Sequence, residues 1–393
     1  MSEDPANVAS PAWTVASWDA HVRAHPQATY LQTSAWTTVK LANGWSSTLV
    51  VGSSPAAGVI GAQILVQPLP VLPWRFAYAP RGPLADRWTG GVLDAWTARL
   101  RSRPAGLRGV AMVRMDPEVE TGATLDGGPE VAAELARLGW RQAPDAQPRR
   151  TRIIDLRADE AALWSDLRKK WRQYVNRART SGVAIRDVDP AVETDAWAIF
   201  HRVMRETGLR AGVPIRAESA YEELWAAFQP TGESRLLFAA DASGATLAVL
   251  LLVRCGGRVV EPYGGMTEAG ATLRANYLLK WEAIRSSREQ GATSYDLWGL
   301  VHPGIAHFKQ GFGGQEMEYI GAWDLALSPL GAMALRVGET ARGPVLRALR
   351  GLRRRPGPSQ AAETAAEEPD ASGREAGEPE AEPPAAGNEL DAG

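Results

Sequence analysis

The chain has 393 residues, 45% hydrophobic and 22% charged, with five histidines and one cysteine, Cys255. One cysteine excludes a disulfide framework and a cysteine-built zinc cluster, and the longest apolar run, about 247–253, falls far short of the roughly 20 residues of a membrane-spanning helix. The formal charge of −2 hides an asymmetry: from Pro356 on, ten acids face the single base Arg374, a balance of −9, so the rest of the chain carries +7 and suits polyanionic partners.

The opening Met-Ser-Glu-Asp-Pro carries neither a basic nor an apolar signal-peptide region, so a cytoplasmic location is expected. Five histidines, read as holding no His-x-x-x-His pair, give no expectation of a metal centre, and no cofactor is expected. The first candidate segment is Tyr30 to Lys40. There Leu31, Ala35 and Val39 are spaced like the buried side of a helix, and Lys40 closes it before Gly44. Strands are predicted over 45–52, 58–66 and 75–82, then a helix over 93–100 and a strand over 109–116 that ends in Asp116. Turn residues at 139–150 mark a boundary, and a new strand begins at Arg152.

A helix over 167–179 follows. Leu167, Trp171, Tyr174, Val175 and Ala178 form one apolar stripe, with Gly182 as a C-cap. Its other face holds Arg168, Lys169, Lys170, Arg172, Arg177 and Arg179 without one acid, which is either a solvated face or a contact for a phosphate-rich partner. Next come the Gly/Pro loop Arg210–Arg216 and Tyr221 on a helix over 219–228.

The earlier order then recurs. Strands are predicted over 234–240, 246–254 and 258–265, with Gly256-Gly257 as a hairpin turn, then a helix over 277–288 and a strand over 293–298. Each set places a tyrosine beside Pro and Gly ahead of an aspartate: Tyr78 precedes Asp116 by 38 positions, Tyr263 precedes Asp296 by 33. A Gly/Pro-rich stretch to Gly314 carries His302, His307, Phe308 and Lys309. Leu346, Leu349 and Leu352, set among arginines 347, 350 and 353–355, read either as a terminal helix on the body or as a weak contact with an anionic membrane. The Ala/Glu/Pro/Gly tail is predicted to be disordered.

Three hairpin strands, a helix and a further strand are the order found in GNAT-type acyltransferases. The expected fold class is therefore α/β (α+β): two GNAT-like domains, 1–148 and 149–315, with mixed, mostly antiparallel sheets flanked by helices. An acyl-CoA-using GNAT fold needs a glycine-spaced turn that opens a helix onto the pyrophosphate. Residues 264–276 have glycines without that spacing, which disfavours acyl-CoA, the alternative donor for a polysaccharide or small amine.

The ordered motifs Leu31-Gln-Thr-Ser-Ala-Trp36, Tyr78-Ala-Pro-Arg-Gly-Pro83, Gln147-Pro148, Thr151 to Leu156, Arg172 to Val183, Tyr295-Asp-Leu-Trp-Gly299 and Phe308-Lys-Gln-Gly-Phe-Gly-Gly314 resemble those of the Fem family. These are aminoacyl-tRNA-dependent peptidyltransferases of peptidoglycan bridges. The resemblance implies transfer of an amino acid from aminoacyl-tRNA to the stem peptide of a muramyl-pentapeptide precursor, lipid-linked (lipid II) or UDP-linked. It implies a cleft between the domains, and a segment 316–355 that returns to the first domain, followed by the tail 356–393. It puts Lys40 and Arg216 on the precursor's diphosphate, Asp116, Tyr221 and Tyr263 around the acceptor peptide, and Phe308 and Lys309 at the aminoacyl end. Asp116, Phe308 and Lys309 are the expected catalytic group, and Arg168, Lys169, Lys170 and Arg172 the expected tRNA contacts. A monomer with peripheral contact to the inner membrane face is expected.

Overall fold

Gly256 turns the chain as its sequence foretells. It sits at φ +56°, Cys255 pairs with Arg258 across it, and a Cβ there would strike the Arg23 carbonyl at 2.0 Å. The hairpin belongs to a computed structural model that describes residues 13–338, apart from 55–57, 71, 127, 213 and 301–302. The leucine/arginine segment 344–355, the acidic tail and His302 lie outside the described residues.

The first part of the chain runs α1 (Val15–Ala24), α2 (Ser34–Ala42), β1 (Ser46–Ser54), β2 (Gly58–Pro68), β3 (Arg75–Ala79), β4 (Leu84–Ala85), α3 (Gly90–Arg101), β5 (Val110–Met115), α4 (Val131–Arg137) and β6 (Arg141–Gln142). The second adds β7 (Arg150–Asp155), α5 (Glu160–Asp166), α6 (Lys169–Thr180), β8 (Ala184–Val188), α7 (Ala196–Ala211), α8 (Glu218–Phe228), β9 (Ser234–Ala240), β10 (Thr246–Cys255) and β11 (Arg258–Met266). Then come α9 (Glu268–Thr272), α10 (Ala275–Glu289), β12 (Ser294–Asp296), α11 (Pro303–Gln310), β13 (Gln315–Glu318) and β14 (Trp323–Ala326), and the described residues end within a helix, α12, that covers 329–338.

Two mixed sheets result. The first has the order β1-β2-β3-β5-β14-β6 with β4 on β2, and the second β13-β7-β12-β11-β10-β9-β8. In each, three antiparallel strands lead through a helix to one parallel step, β3–β5 or β11–β12, and the next neighbour is antiparallel again. This is the mixed architecture expected of GNAT-like domains. The chain crosses back between β13, which pairs in the second sheet, and β14, which lies between β5 and β6 of the first.

The apolar stripe of α6 explains its seat. Leu167, Trp171, Val175 and Ala178 are buried in the second core with Tyr277, Leu278 and Trp281 of α10. Leu167 itself stands before the helix, as the C-cap of α5, and Gly182 past its end takes φ +80°. A third apolar cluster joins α1, α7 and α8 to β9 and β10, so it spans both units.

Candidate functional site

The stretch after α1 fixes where α2 begins. Gln32 is fully buried: its Nε2 donates to the Pro80 carbonyl at 2.7 Å and its Oε1 accepts the Gln63 N–H at 2.8 Å. Thr33 caps α2 through the Trp36 N–H, and the Ser34 N–H donates to Asp19 at 2.9 Å. Anchored so, α2 delivers Lys40 in its last turn, with Nζ 5.1 Å from the Trp36 ring centre and 5.9 Å from that of Trp45.

Arg216 stands just before α8, which packs on α2; Asn43 Nδ2 reaches Glu223 across that contact at 3.1 Å. The Arg216 N–H donates to the Tyr221 hydroxyl at 3.2 Å, which is what their five-residue separation spans. Tyr221 sets its ring edge-on to Tyr263 at 4.9 Å, and the Arg216 guanidinium lies 5.9 Å over Tyr263. One crevice between the units collects these groups. Trp36, Lys40, Trp45, Tyr78 and Gln147 line it from the first unit, and Arg216, Tyr263 and Trp298 from the second.

Asp116 and Tyr221 are buried behind this lining. Tyr78 connects Asp116 to the crevice: its hydroxyl donates to Asp116 Oδ2 at 2.8 Å and accepts from Gln147 Nε2 at 3.2 Å. The Arg81 N–H donates to the other oxygen at 2.6 Å. Burial pushes the Asp116 carboxyl up to about 6, against the pull of the Arg81 charge and the Tyr78 hydrogen bond. Burial likewise raises the Tyr221 phenol to about 12.

Phe308 and Lys309 lie beneath the crevice rather than on its lining. Phe308 packs edge-on against Tyr277 and Phe312 in the second core. Lys309 Nζ donates to the carbonyls of Trp298 at 3.2 Å and Gly299 at 3.0 Å, so it touches the far side of a segment whose Trp298 ring faces the crevice. Burial lowers its pKa to about 8, with Glu261 opposing that shift and Lys280 adding to it. Glu261 in turn accepts from Lys280 Nζ and from the Tyr295 hydroxyl.

The basic face of α6 flanks α11, which carries Lys309. Arg168 Nη2 donates to Gln310 at 2.6 Å, Nη1 lies 3.3 Å from the His307 ring, and Trp171 Nε1 donates to the Phe308 carbonyl at 3.0 Å. Arg172 binds the Ser165 carbonyl and Arg179 pairs with Glu282, while Lys169, Lys170 and Arg177 are exposed. Arg210, which the sequence placed in a Gly/Pro loop, stands in the last turn of α7 and donates to the Met266 carbonyl at 3.0 Å, off the crevice lining.

A buried ion cluster fixes the two units beside the site. The Arg258 guanidinium holds Glu118 of the first unit and Asp296 of its own, and Arg81 lies 3.5 Å from Glu118. Two cations and two anions balance there, which makes burial of the group tolerable. Sequence reading left out this cluster and the Glu261–Lys280 pair because no local spacing announces partners so distant in the chain, and it left out the indoles of Trp36 and Trp45 although they stand four and five residues from Lys40.

The histidine count also concealed a pair. His21 and His25 stand four apart, and with Asp86 they offer ligand atoms within 4.8 Å of one another. Two facts argue against a cation here. His25 Nδ1 accepts the Gln27 N–H at 3.1 Å, and burial beside His21 lowers the His25 pKa, so the neutral ring keeps its proton on Nε2. Neither nitrogen then has a spare lone pair.

Comparisons with known proteins give the chain its relatives. A protein named lipid II:glycine glycyltransferase from Staphylococcus epidermidis is 24% identical over 387 residues, covering 79% of this chain and 91% of that relative. A protein of the same name from Staphylococcus aureus is 23% identical over 393 residues with the same coverage. A crystal structure of FemX superposes with a TM-score of 0.72 at 20% identity, covering 82% of this chain and 98% of that one, so the fold is shared. The pattern that defines the FemAB family matches residues 13–241 and 231–339, and the chain belongs to that family.

Proposed function

We propose that this transferase moves an amino acid from an aminoacyl-tRNA onto the stem-peptide amine of a peptidoglycan precursor, building an interpeptide bridge. The observation that carries the reading is the crevice itself. It brings Lys40 of one unit and Arg216 of the other to one indole- and phenol-lined site, a pincer suited to the diphosphate of the precursor. One chain supplies both sides, so a single copy suffices. The relatives' printed names make glycine and lipid II the first donor amino acid and acceptor to test.

The ester of the charged tRNA is already activated, so alignment and proton handling are the protein's tasks. The amine nitrogen attacks the ester carbonyl, a C–N bond forms, and the C–O bond to the tRNA ribose breaks. The amine proton passes through the Tyr78 hydroxyl to Asp116 and from there to the departing ribose oxygen, or directly to that oxygen. Lys309 offers its positive charge behind the Trp298–Gly299 segment, toward the oxyanion or a terminal phosphate of the tRNA. Lys169, Lys170 and Arg177 give the tRNA backbone an exposed basic track beside α11, with Arg168 and Arg172 at its edge.

The test supplies labelled glycyl-tRNA with lipid-linked and nucleotide-linked pentapeptide in turn. Transfer to at least one acceptor, reduced tenfold or more by K40A or R216A, is the expected result. Acylation supported by acetyl-CoA while every charged tRNA fails would overturn the reading.

A further inference from the structure

The last described helix, α12, buries one face and exposes another. Ala332 and Leu335 pack on the cluster of Trp45, Phe76, Tyr78 and Met112. The helix backbone comes so close to the first sheet at Gly331 that a Cβ there would lie 2.6 Å from Ala111 and 2.9 Å from Trp74. Trp45 and Tyr78 also line the crevice, so α12 is seated against the back of its wall. On the face turned outward, Leu330, Met333 and Val337 are 67%, 61% and 62% exposed. Their spacing of three and four places them in one row. Leu72, on the turn beside Trp74, and Leu41, next to Lys40, are exposed as well.

Scattered exposed leucines need no explanation, but a helical row of three apolar side chains does. The sequence that continues from this row supplies one. Between 336 and 355 it carries seven arginines and a single acid, Glu339. The acidic tail beyond can answer the arginines' charge but not the apolar row, since Leu390 is its one large aliphatic residue. An anionic lipid surface offers both what the row and what the arginines require: an acyl boundary and a layer of negative headgroups.

We propose that the outward face of α12 docks this protein on an anionic bilayer, with Leu330, Met333 and Val337 entering the headgroup–acyl boundary and the positive charge of the sequence beyond favouring an anionic surface over a neutral one. The proposal deepens the reading above, because an acceptor carried on a lipid has to be met at such a surface, and α12 adjoins the crevice that would receive it. The contact is reversible and weakens with salt, as three side chains and a basic run fall short of a spanning anchor.

The experiment mixes full-length protein with vesicles of phosphatidylcholine, with or without 30% phosphatidylglycerol as a stated composition, and separates bound from free protein by flotation. No substrate is present, so failure of the transfer reaction leaves this test untouched, and the reverse holds too. Wild type should float with the anionic vesicles and not with the neutral ones. The triple variant L330S/M333S/V337S should bind at least tenfold more weakly while its thermal unfolding midpoint stays at the wild-type value. Replacing Arg347 and Arg350 by Gln should weaken binding by roughly fivefold for each charge removed. Equal flotation of wild type and triple variant would overturn the proposal. So would a wild type that ignores anionic vesicles and instead forms a dimer, seen by sedimentation, that the triple variant abolishes.

Discussion

In the first unit the parallel pair β3–β5 stays joined through Ala79 and Met115, and Asp116 follows at once to accept the Tyr78 hydroxyl. In the second the parallel pair β11–β12 ends at Val260 and Asp296, three residues before Tyr263. Asp296 is spent on Arg258, Thr151 and the Trp298 N–H, and Tyr263 turns to Tyr221 and Arg216. The strand left without its parallel neighbour carries Glu261, which gathers Lys280 and Tyr295 near Lys309. Where the ladder stops therefore decides what a repeated Tyr…Asp pattern does. In one unit it forms a hydrogen-bonded tyrosine–aspartate pair behind the crevice; in the other it locks the units and opens a space for a buried lysine.

Replacing the two aspartates tests that division most severely. Asp116→Asn should lower kcat for transfer by about 10²-fold or more, the usual scale of a lost proton acceptor. It should leave urea stability within about 1 kcal/mol, because an amide keeps both contacts in outline and removes a charge that burial disfavours. Asp296→Asn should do the opposite, costing about 3 kcal/mol of stability by undoing one arm of a buried ion cluster. If both variants lose stability alike and retain activity alike, the contrast between the units is wrong.

The crevice cations come next in size. Lys40→Ala and Arg216→Ala should each raise KM for the diphosphate-bearing acceptor about tenfold to a hundredfold, the scale of one charged hydrogen bond, with KM for the charged tRNA unchanged. A rise in the tRNA constant instead would exchange the roles of crevice and α6.

The pH profile sharpens the picture further. If Asp116 accepts a proton as the proposed mechanism requires, kcat/KM should rise with pH through about 6. If Lys309 serves there as a cation, that ratio should fall as pH climbs through about 8. Tyr78→Phe closes the route from the crevice to Asp116, so kcat should fall toward that of Asp116→Asn; the smallest effect is a shift in the profile of the activity that remains. The substitution removes a hydrogen bond that lowers the Asp116 pKa, so the acid limb should move to higher pH while the alkaline limb stays.

Much of the architecture was readable because it rests on local patterns. Gly256 marked its hairpin, and the stripe from Leu167 to Ala178 marked the buried side of α6 apart from one turn at its start. The sequence also placed a strand up to Gly82, whereas β3 stops at Ala79, since the chain must turn there to bring Arg81 to Asp116. The candidate site was less readable. Lys40 and Arg216 came from family likeness, and nothing in the intervening 175 residues states that α2 and α8 pack together. Glu261 and Lys280 sat inside apolar patterns that argue for a core, and only the fold pairs them. His21 and His25 did show a ligand-like spacing, and it took the Gln27 hydrogen bond to give it another meaning.

The position of β14 has a consequence for synthesis. It fills the slot between β5 and β6, yet it is the last of the described strands to be made. A nascent chain that has emerged as far as Gln142 therefore carries a gap in its leading sheet, with open backbone edges on either side of it. That sheet must wait for residues 323–326 before it closes, so the two halves mature together rather than in turn.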